Sequence, residues 1–307
     1  MNNESSISEF ILLGLFNPPE LDIVLFFLFL VMYIITIIGN GVIMIITNVD
    51  STLNTPMYFF LGNLSLLDTI CTTSTVPNML ANFFSSKKVI SFHGCVIQMF
   101  VFTAAMDTEF LLLTFMSFDR YLAICNPLRY KSIMRKRSCI CMSAIVWSFG
   151  LTSSTFHTSS TSWLSFCDSN KINHFFCEVP QVLALSCSDT ALNQMVLIFT
   201  DLVLGLICIL FIFLSYLFII IAILKIRSAE GKKKAFSTCA SHLTVVVLFY
   251  GTLIFAYFKP STLTSNADKE IAVLYTIVIP MLNPILYSLR NKEVKGSVHK
   301  IIFKRIF

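Results

Sequence analysis

The sequence predicts an all-α protein: a bundle of seven membrane-spanning helices with a short amphipathic helix on the cytoplasmic side. Three observations carry this. First, the 307 residues are 56% hydrophobic and 13% charged, with thirty phenylalanines. A soluble domain carries about 25% charged residues, so lipid is the natural solvent for this chain. Second, apolar runs of spanning length recur at about 23–47, 57–84, 95–124, 139–160, 194–224, 235–258 and 271–289. No Pro/Gly/Ser linker divides them, so residues 1–307 read as one domain with a tail at 1–22 and another at 290–307. Third, the net charge of +5 is one-sided. Arg120, Arg129, Lys131, Arg135, Lys136, Arg137, Lys225, Arg227, Lys232, Lys233, Lys234, Arg290, Lys292, Lys295, Lys300, Lys304 and Arg305 fall on one side of those spans; Lys87, Lys88, Lys171, Lys259 and Lys269 fall on the other. The positive-inside rule then sets the N-terminus outside and the C-terminus inside, as an odd number of spans requires. Membrane topology accounts for the basic bias, and no nucleic-acid partner is needed.

The first twenty residues lack the basic start of a cleaved signal peptide, so the first span serves as the insertion signal. Asn3-Glu4-Ser5 is a glycosylation sequon in an external tail. In the first span, Gly39 and Gly41 read as small residues for close helix packing, and Asn40 is a buried amide that requires a partner. Pro56 suits the first turn of the second span. Asp68 lies near the middle of that span, where insertion costs about 2.5–3.5 kcal/mol, so it needs a partner or a task. The third span holds two more acids. At about 100° per residue, Glu109 shares a stripe with Phe102, Ala105 and Leu112, while Asp107 shares another with Thr103, Met106 and Phe110.

The fourth span ends in a Ser/Thr-rich stretch. A long external connection, about 161–193, holds Cys167, Cys177 and Cys187, and Cys95 opens the third span on the same side. Four cysteines in an oxidising compartment allow two disulfides in three connectivities, and spacing does not choose among them. Cysteines 71, 125, 139, 141, 208 and 239 lie in spans or face the cytosol. The fifth span carries Asp201 and Ser215-Tyr216. The sixth opens with polar residues through His242, which suits packing on neighbours rather than on lipid. The seventh holds Pro280, Asn283 and Pro284; these would break a soluble helix, but bundle neighbours can satisfy the freed carbonyls. The tail from Lys292 alternates apolar and basic residues, as an interfacial helix does.

No catalytic constellation is present: there is no Gly-x-Ser-x-Gly, no His-Glu-x-x-His and no phosphate loop. The expectation is a non-enzyme without cofactor. No metal site is expected at His242, and Cys139 and Cys141 are too few and too closely spaced for zinc. The rival class is a cation transporter or channel, which would use intramembrane acids such as Asp68, Asp107, Glu109 and Asp201. Against it, inverted repeats are missing and Met116–Cys125 goes unexplained. That decapeptide, Met-Ser-Phe-Asp-Arg-Tyr-Leu-Ala-Ile-Cys, sets Asp119 and Arg120 where hydrocarbon meets water, and it is more specific than a snorkelling helix-end anchor needs.

Met116–Cys125 resembles the third-helix signature of rhodopsin-like G-protein-coupled receptors. With Pro56–Asp68, Ser215-Tyr216, Lys234–Leu243 and Pro280–Asn291, in order and over essentially the whole chain, it resembles the odorant receptors among them. Phe118 departs from the family's usual Tyr. The sixth span carries Phe249-Tyr250-Gly251 in place of the Trp-x-Pro of other rhodopsin-like receptors, and Asp107 and Asp201 belong to no family motif. The resemblance implies a plasma-membrane receptor that binds small volatile molecules and activates the olfactory, stimulatory class of heterotrimeric G protein, raising cyclic AMP. It also implies disulfides Cys95–Cys177 and Cys167–Cys187.

By helical facing and family analogy, an outer-half pocket is expected from Phe102, Thr103, Met106, Asp107, Thr200, Leu204, Tyr250, Ile254 and Tyr257. A ligand of about 10–15 non-hydrogen atoms at roughly 0.5 kcal/mol each gains about 5–7 kcal/mol, which gives affinities from roughly 10 micromolar to submillimolar. The coupling switch is expected from Asp119, Arg120, Tyr121, Tyr216, His242, Asn283, Pro284 and Tyr287, with Arg120 held at rest by Asp119 and by polar groups of the sixth span. Asp68 and Glu109, with Asn283, form the expected internal cation or proton site. Asp107 and Asp201 admit two readings: an anchor for an amine, or carboxyls that are protonated or bonded to Ser and Thr neighbours.

Overall fold

The computed structural model describes residues 8–15, 21–167, 169–258, 265–290, 294–297 and 299. Helices dominate: α1 (Asp22–Val49), α2 (Pro56–Phe83), α3 (Phe92–Cys125), α4 (Pro127–Ile133), α5 (Lys136–Ser162), α6 (Val179–Leu183), α7 (Ala191–Lys225), α8 (Ala229–Phe258), α9 (Ser265–Val273) and α10 (Ile279–Arg290), with one π-helical turn at Leu274–Val278 joining the last two. α1, α3, α5, α7, α8 and the α9–α10 stretch are long and apolar enough to cross a bilayer, so this is a multi-pass membrane protein. The second span, α2, is equally long at 28 residues but more polar. The reason is its place: it packs against α1, α3, α5 and α10, and Ser65, Asp68, Thr72 and Thr75 are buried against protein. α7 shows the opposite condition. Leu206, Ile207, Leu210 and Phe213 are all more than half exposed, a belt that suits lipid tails.

The glycines and prolines fix how closely the helices approach. A Cβ at Gly39 would lie 2.9 Å from Cγ of Pro284, so α1 and α10 meet there as the small residue allows; Gly41 meets nothing within 4 Å. On α5, a Cβ at Gly150 would meet Oγ1 of Thr108 and, at 2.7 Å, the carbonyl of Ala104 on α3. Neither Pro280 nor Pro284 has an N–H to give to the carbonyl four residues back. Both orphaned carbonyls find donors on other helices. Thr72 Oγ1 donates to the Thr276 carbonyl at 3.1 Å, and Asn40 Nδ2 donates to the Pro280 carbonyl at 3.1 Å. The kinked seventh span is thereby sewn to α1 and α2.

Two features differ from the sequence expectation. α8 and α9 each begin six residues before the expected 235 and 271; on α8, Glu230 and Lys232 to Lys234 continue the helix into water, and the inner connection shrinks to 226–228. The outer end also carries a small sheet: β1 (Glu9–Leu12) pairs antiparallel with β2 (Val89–Ser91) and parallel with β3 (Lys171–Ile172). Phe10 and Leu12 of β1 are buried with Ile90, Met99 and Ile172, so this strand packs onto the outer end. Disulfides Cys95–Cys177 and Cys167–Cys187 fasten the loop between α5 and α7 beneath it. Of the expected amphipathic tail helix, residues 294–297 are described and helical; Val294 is buried and the Ser297 hydroxyl donates to Asp50 at 2.7 Å. The rest of that expectation, and the Asn3 sequon, lie outside the described residues.

Candidate functional site

The outer half of the bundle holds a cavity of about 490 Å³, within the range for small-molecule sites. Phe102, Thr103, Met106 and Asp107 of α3, Leu204 of α7, and Tyr250 and Ile254 of α8 line it. Thr200 does not: its hydroxyl turns back to the Val196 carbonyl at 2.6 Å, and the α7 residues that line the cavity include the stripe Leu197, Asp201 and Leu204. Those positions follow the i, i+4, i+7 spacing of one helix face, and Thr200 stands off it. The Tyr257 side chain lies outside the described residues.

Sequence reasoning missed the roof. His174, Glu178, Val179, Pro180 and Gln181 of the outer loop close the cavity, with Asp268 and Ile271 of α9 and Tyr275 of the π turn. A signal existed: Glu178 follows Cys177, and a bond from Cys177 to Cys95 draws it over α3. The position is reinforced by Gln98, whose Nε2 donates to the Ser74 carbonyl at 2.7 Å while its Oε1 accepts the Cys177 N–H at 2.8 Å. The Tyr275 hydroxyl sits 3.2 Å from both Glu178 carboxylate oxygens. Burial pushes Glu178 up to about 7, against the pull of that hydrogen bond, and Asp201 and Asp268 add to the rise. Burial pushes His174 down to about 4, and Lys269 reinforces the shift. Its Nδ1 has no hydrogen-bond partner.

At mid-depth, Asn283 Nδ2 donates to both oxygens of buried Asp68, at 2.9 and 3.1 Å. Glu109 is buried on the facing side of α3, its Oε1 without a partner, as is Oδ1 of Asn283. Three polar groups thus converge without closing a complete network.

At the inner end, Asp119 is fully buried and accepts Arg120 through Nε at 3.1 Å and one terminal nitrogen at 2.7 Å. Tyr130 of α4 donates to its other oxygen at 2.8 Å, and burial beside Asp119 raises the Tyr130 phenol. Among the described side chains the hydrogen-bond partner of Arg120 is Asp119; the side chains of Lys234 and Thr238 on α8 lie outside the described residues. His242 of α8 instead pairs with Tyr216 of α7 across 2.6 Å. Tyr121 turns toward α7, its ring 6.0 Å from Phe218. The Tyr287 hydroxyl is buried without a partner, and Pro284 is spent against Gly39. One contact ties the cavity wall to α3: Tyr250 donates to the Phe110 carbonyl at 2.8 Å and lies 3.1 Å from Thr114 Oγ1.

Comparison with known proteins follows the same lines. A family profile described as olfactory receptor matches residues 29–305. Olfactory receptor 5I1 of Homo sapiens is 50% identical over 307 residues, covering 99% of this chain and 97% of its own. Olfactory receptor 5AR1 of Mus musculus is 48% identical over 304 residues, covering 99% and 98%. Olfactory receptor 2S2 of Homo sapiens is 50% identical over 308 residues, covering 98% and 97%.

Proposed function

This chain belongs to the olfactory receptor family, and on that premise we propose that it binds small volatile, mostly apolar molecules in the outer cavity and activates a stimulatory, olfactory-class heterotrimeric G protein, raising cyclic AMP. The N-terminus with Asn3 as glycan acceptor is extracellular, and the tail after Arg290 is cytoplasmic, in the plasma membrane. The charge asymmetry of the loops supports that orientation.

The observation that carries the mechanism is the position of Tyr250. It faces the cavity and clasps α8 to α3 through the Phe110 carbonyl. A guest that packs better with α8 displaced weakens this clasp and shifts the population between two arrangements of α8. At the inner end the shift separates α8 from α3, opens the Tyr216–His242 contact and exposes Arg120, beside which the G protein inserts. Asp68, Glu109 and Asn283 bias the switch by taking up a cation or a proton between them; the unpartnered Oε1 of Glu109 and Oδ1 of Asn283 support that reading.

The test uses the purified chain in sealed vesicles with a heterotrimer on the inner-face side. Odorant-driven nucleotide exchange without ion flux is the expected outcome. Substrate-dependent ion flux without exchange would replace the receptor by a transporter.

A further inference from the structure

The cavity has a chemical character beyond its size. Four elements each aim one carboxylate into it: Asp107 from α3, Glu178 from the outer loop, Asp201 from α7 and Asp268 from α9. Among the described residues no Lys or Arg lines it, and the remaining wall is mostly Phe, Leu, Ile, Val and Met. Lys269 is buried nearby and acts on His174, but it does not line the cavity. Asp201 and Asp268 both act on Glu178, in the outer loop.

Two buried polar atoms at this cavity lack partners, Oδ2 of Asp107 and Nδ1 of His174, whose side chain is 1% exposed. Such groups are costly to leave unpaired in a protein interior. An ionised carboxylate is acceptor-only, and an alkylammonium is donor-only. An apolar cup rimmed by acceptors therefore matches a molecule with a hydrocarbon body and one cationic head. A neutral alcohol or ketone offsets none of the carboxylate charge.

We propose that the receptor is selective for small amines that are protonated when bound, with the ammonium held between Asp107 and Glu178 and the alkyl body against Phe102, Met106, Leu204 and Ile254. This rests on the odorant-receptor reading above and names the ligand class of the same cavity.

The experiment expresses the full chain at the cell surface with a cyclic AMP readout. The probes are six- to nine-carbon primary amines and their alcohol and ketone counterparts. Amines are expected to be at least about tenfold more potent than their neutral partners, and Asp107→Asn or Glu178→Gln to lower amine potency about tenfold or more. The amine–alcohol comparison needs no variant, so it decides the matter even where a substituted chain fails to reach the surface. Equal or better activation by the neutral members overturns the amine proposal and leaves the receptor reading standing. Silence toward both sets, with wild-type receptor confirmed at the surface, overturns both.

Discussion

The outer and inner ends of this bundle use the same helices for opposite purposes. At the outer end α3, α7 and α8 splay around about 490 Å³ of space, roofed by a disulfide-pinned loop and edged by acids. At the inner end the same helices close on themselves: Asp119 takes both Arg120 and Tyr130, and Tyr216 takes His242. A guest can therefore enter only where the bundle is open, and the constraint it releases lies where the bundle is shut. α3 runs unbroken from Phe92 to Cys125 between the two; in the proposed mechanism it is the fixed post and α8 is the element that moves against it.

The sharpest way to break this contrast is at the inner end. Asp119→Asn removes the anion from a buried ion pair, which costs about 3–5 kcal/mol when one partner is lost. The expected readout is a raised basal cyclic AMP level with lower thermal stability. Basal activity at the wild-type level would mean that the Asp119–Arg120 pair does not hold the resting state. The corresponding change at the outer end is Cys95→Ser. It opens a link between residues 82 apart in sequence and is expected to cost about 2–5 kcal/mol, seen as a steep fall in surface delivery. Asn40→Ala acts between the two ends. It strands the Pro280 carbonyl in the bundle interior, at about 1–3 kcal/mol, and should lower the unfolding midpoint of purified protein with little change in agonist potency.

The smallest effect is also the most local, and it separates two roof residues. Glu178 has a folded value of about 7, above its ordinary 4.5. Its contribution is fully present below pH 4.5 and is lost as pH rises through 7. His174 has a folded value of about 4, below its ordinary 6.5. Its contribution is present above pH 6.5 and is lost as pH falls through 4. Between about pH 4.5 and 6.5 the two slopes oppose, so wild-type roof stability, read by hydrogen exchange of the outer loop, should change little there. Glu178→Gln should leave the His174 limb, with stability rising with pH. His174→Gln should leave the falling limb. Identical profiles in all three proteins would show that neither group titrates in the folded roof.

How much of this was legible beforehand follows from what each part depends on. Helices depend on runs of apolar residues, which are local, so the spans were readable to within a turn or two. The largest differences were the starts of α8 and α9, each six residues early, where polar and charged first residues hid the helix because a helix leaving the bilayer needs no apolar face. The inner cluster was readable as residues but not as pairings: Arg120 sits against Asp119, while His242 goes to Tyr216 across a distance no periodicity encodes. On α3 the cavity face followed from 100° steps through Phe102, Thr103, Met106 and Asp107. On α7 the same reasoning chose Thr200, where the rotation of the helix favours Asp201. The roof was the least legible part. Glu178, His174 and β1 are set by disulfides and by a four-residue strand pairing across the molecule, and the spacing of four cysteines admits three pairings.

The central claim is that filling the outer cavity moves the inner end of α8 away from α3. The direct measurement is the distance between spin labels at Arg129 on α4, which follows α3, and Phe236 on α8, both exposed, in a chain whose six free cysteines have been replaced. With an agonist and a heterotrimer present, the distance distribution should gain a longer population whose size follows agonist occupancy. An unchanged distribution, under conditions where the same sample drives nucleotide exchange, would contradict the account.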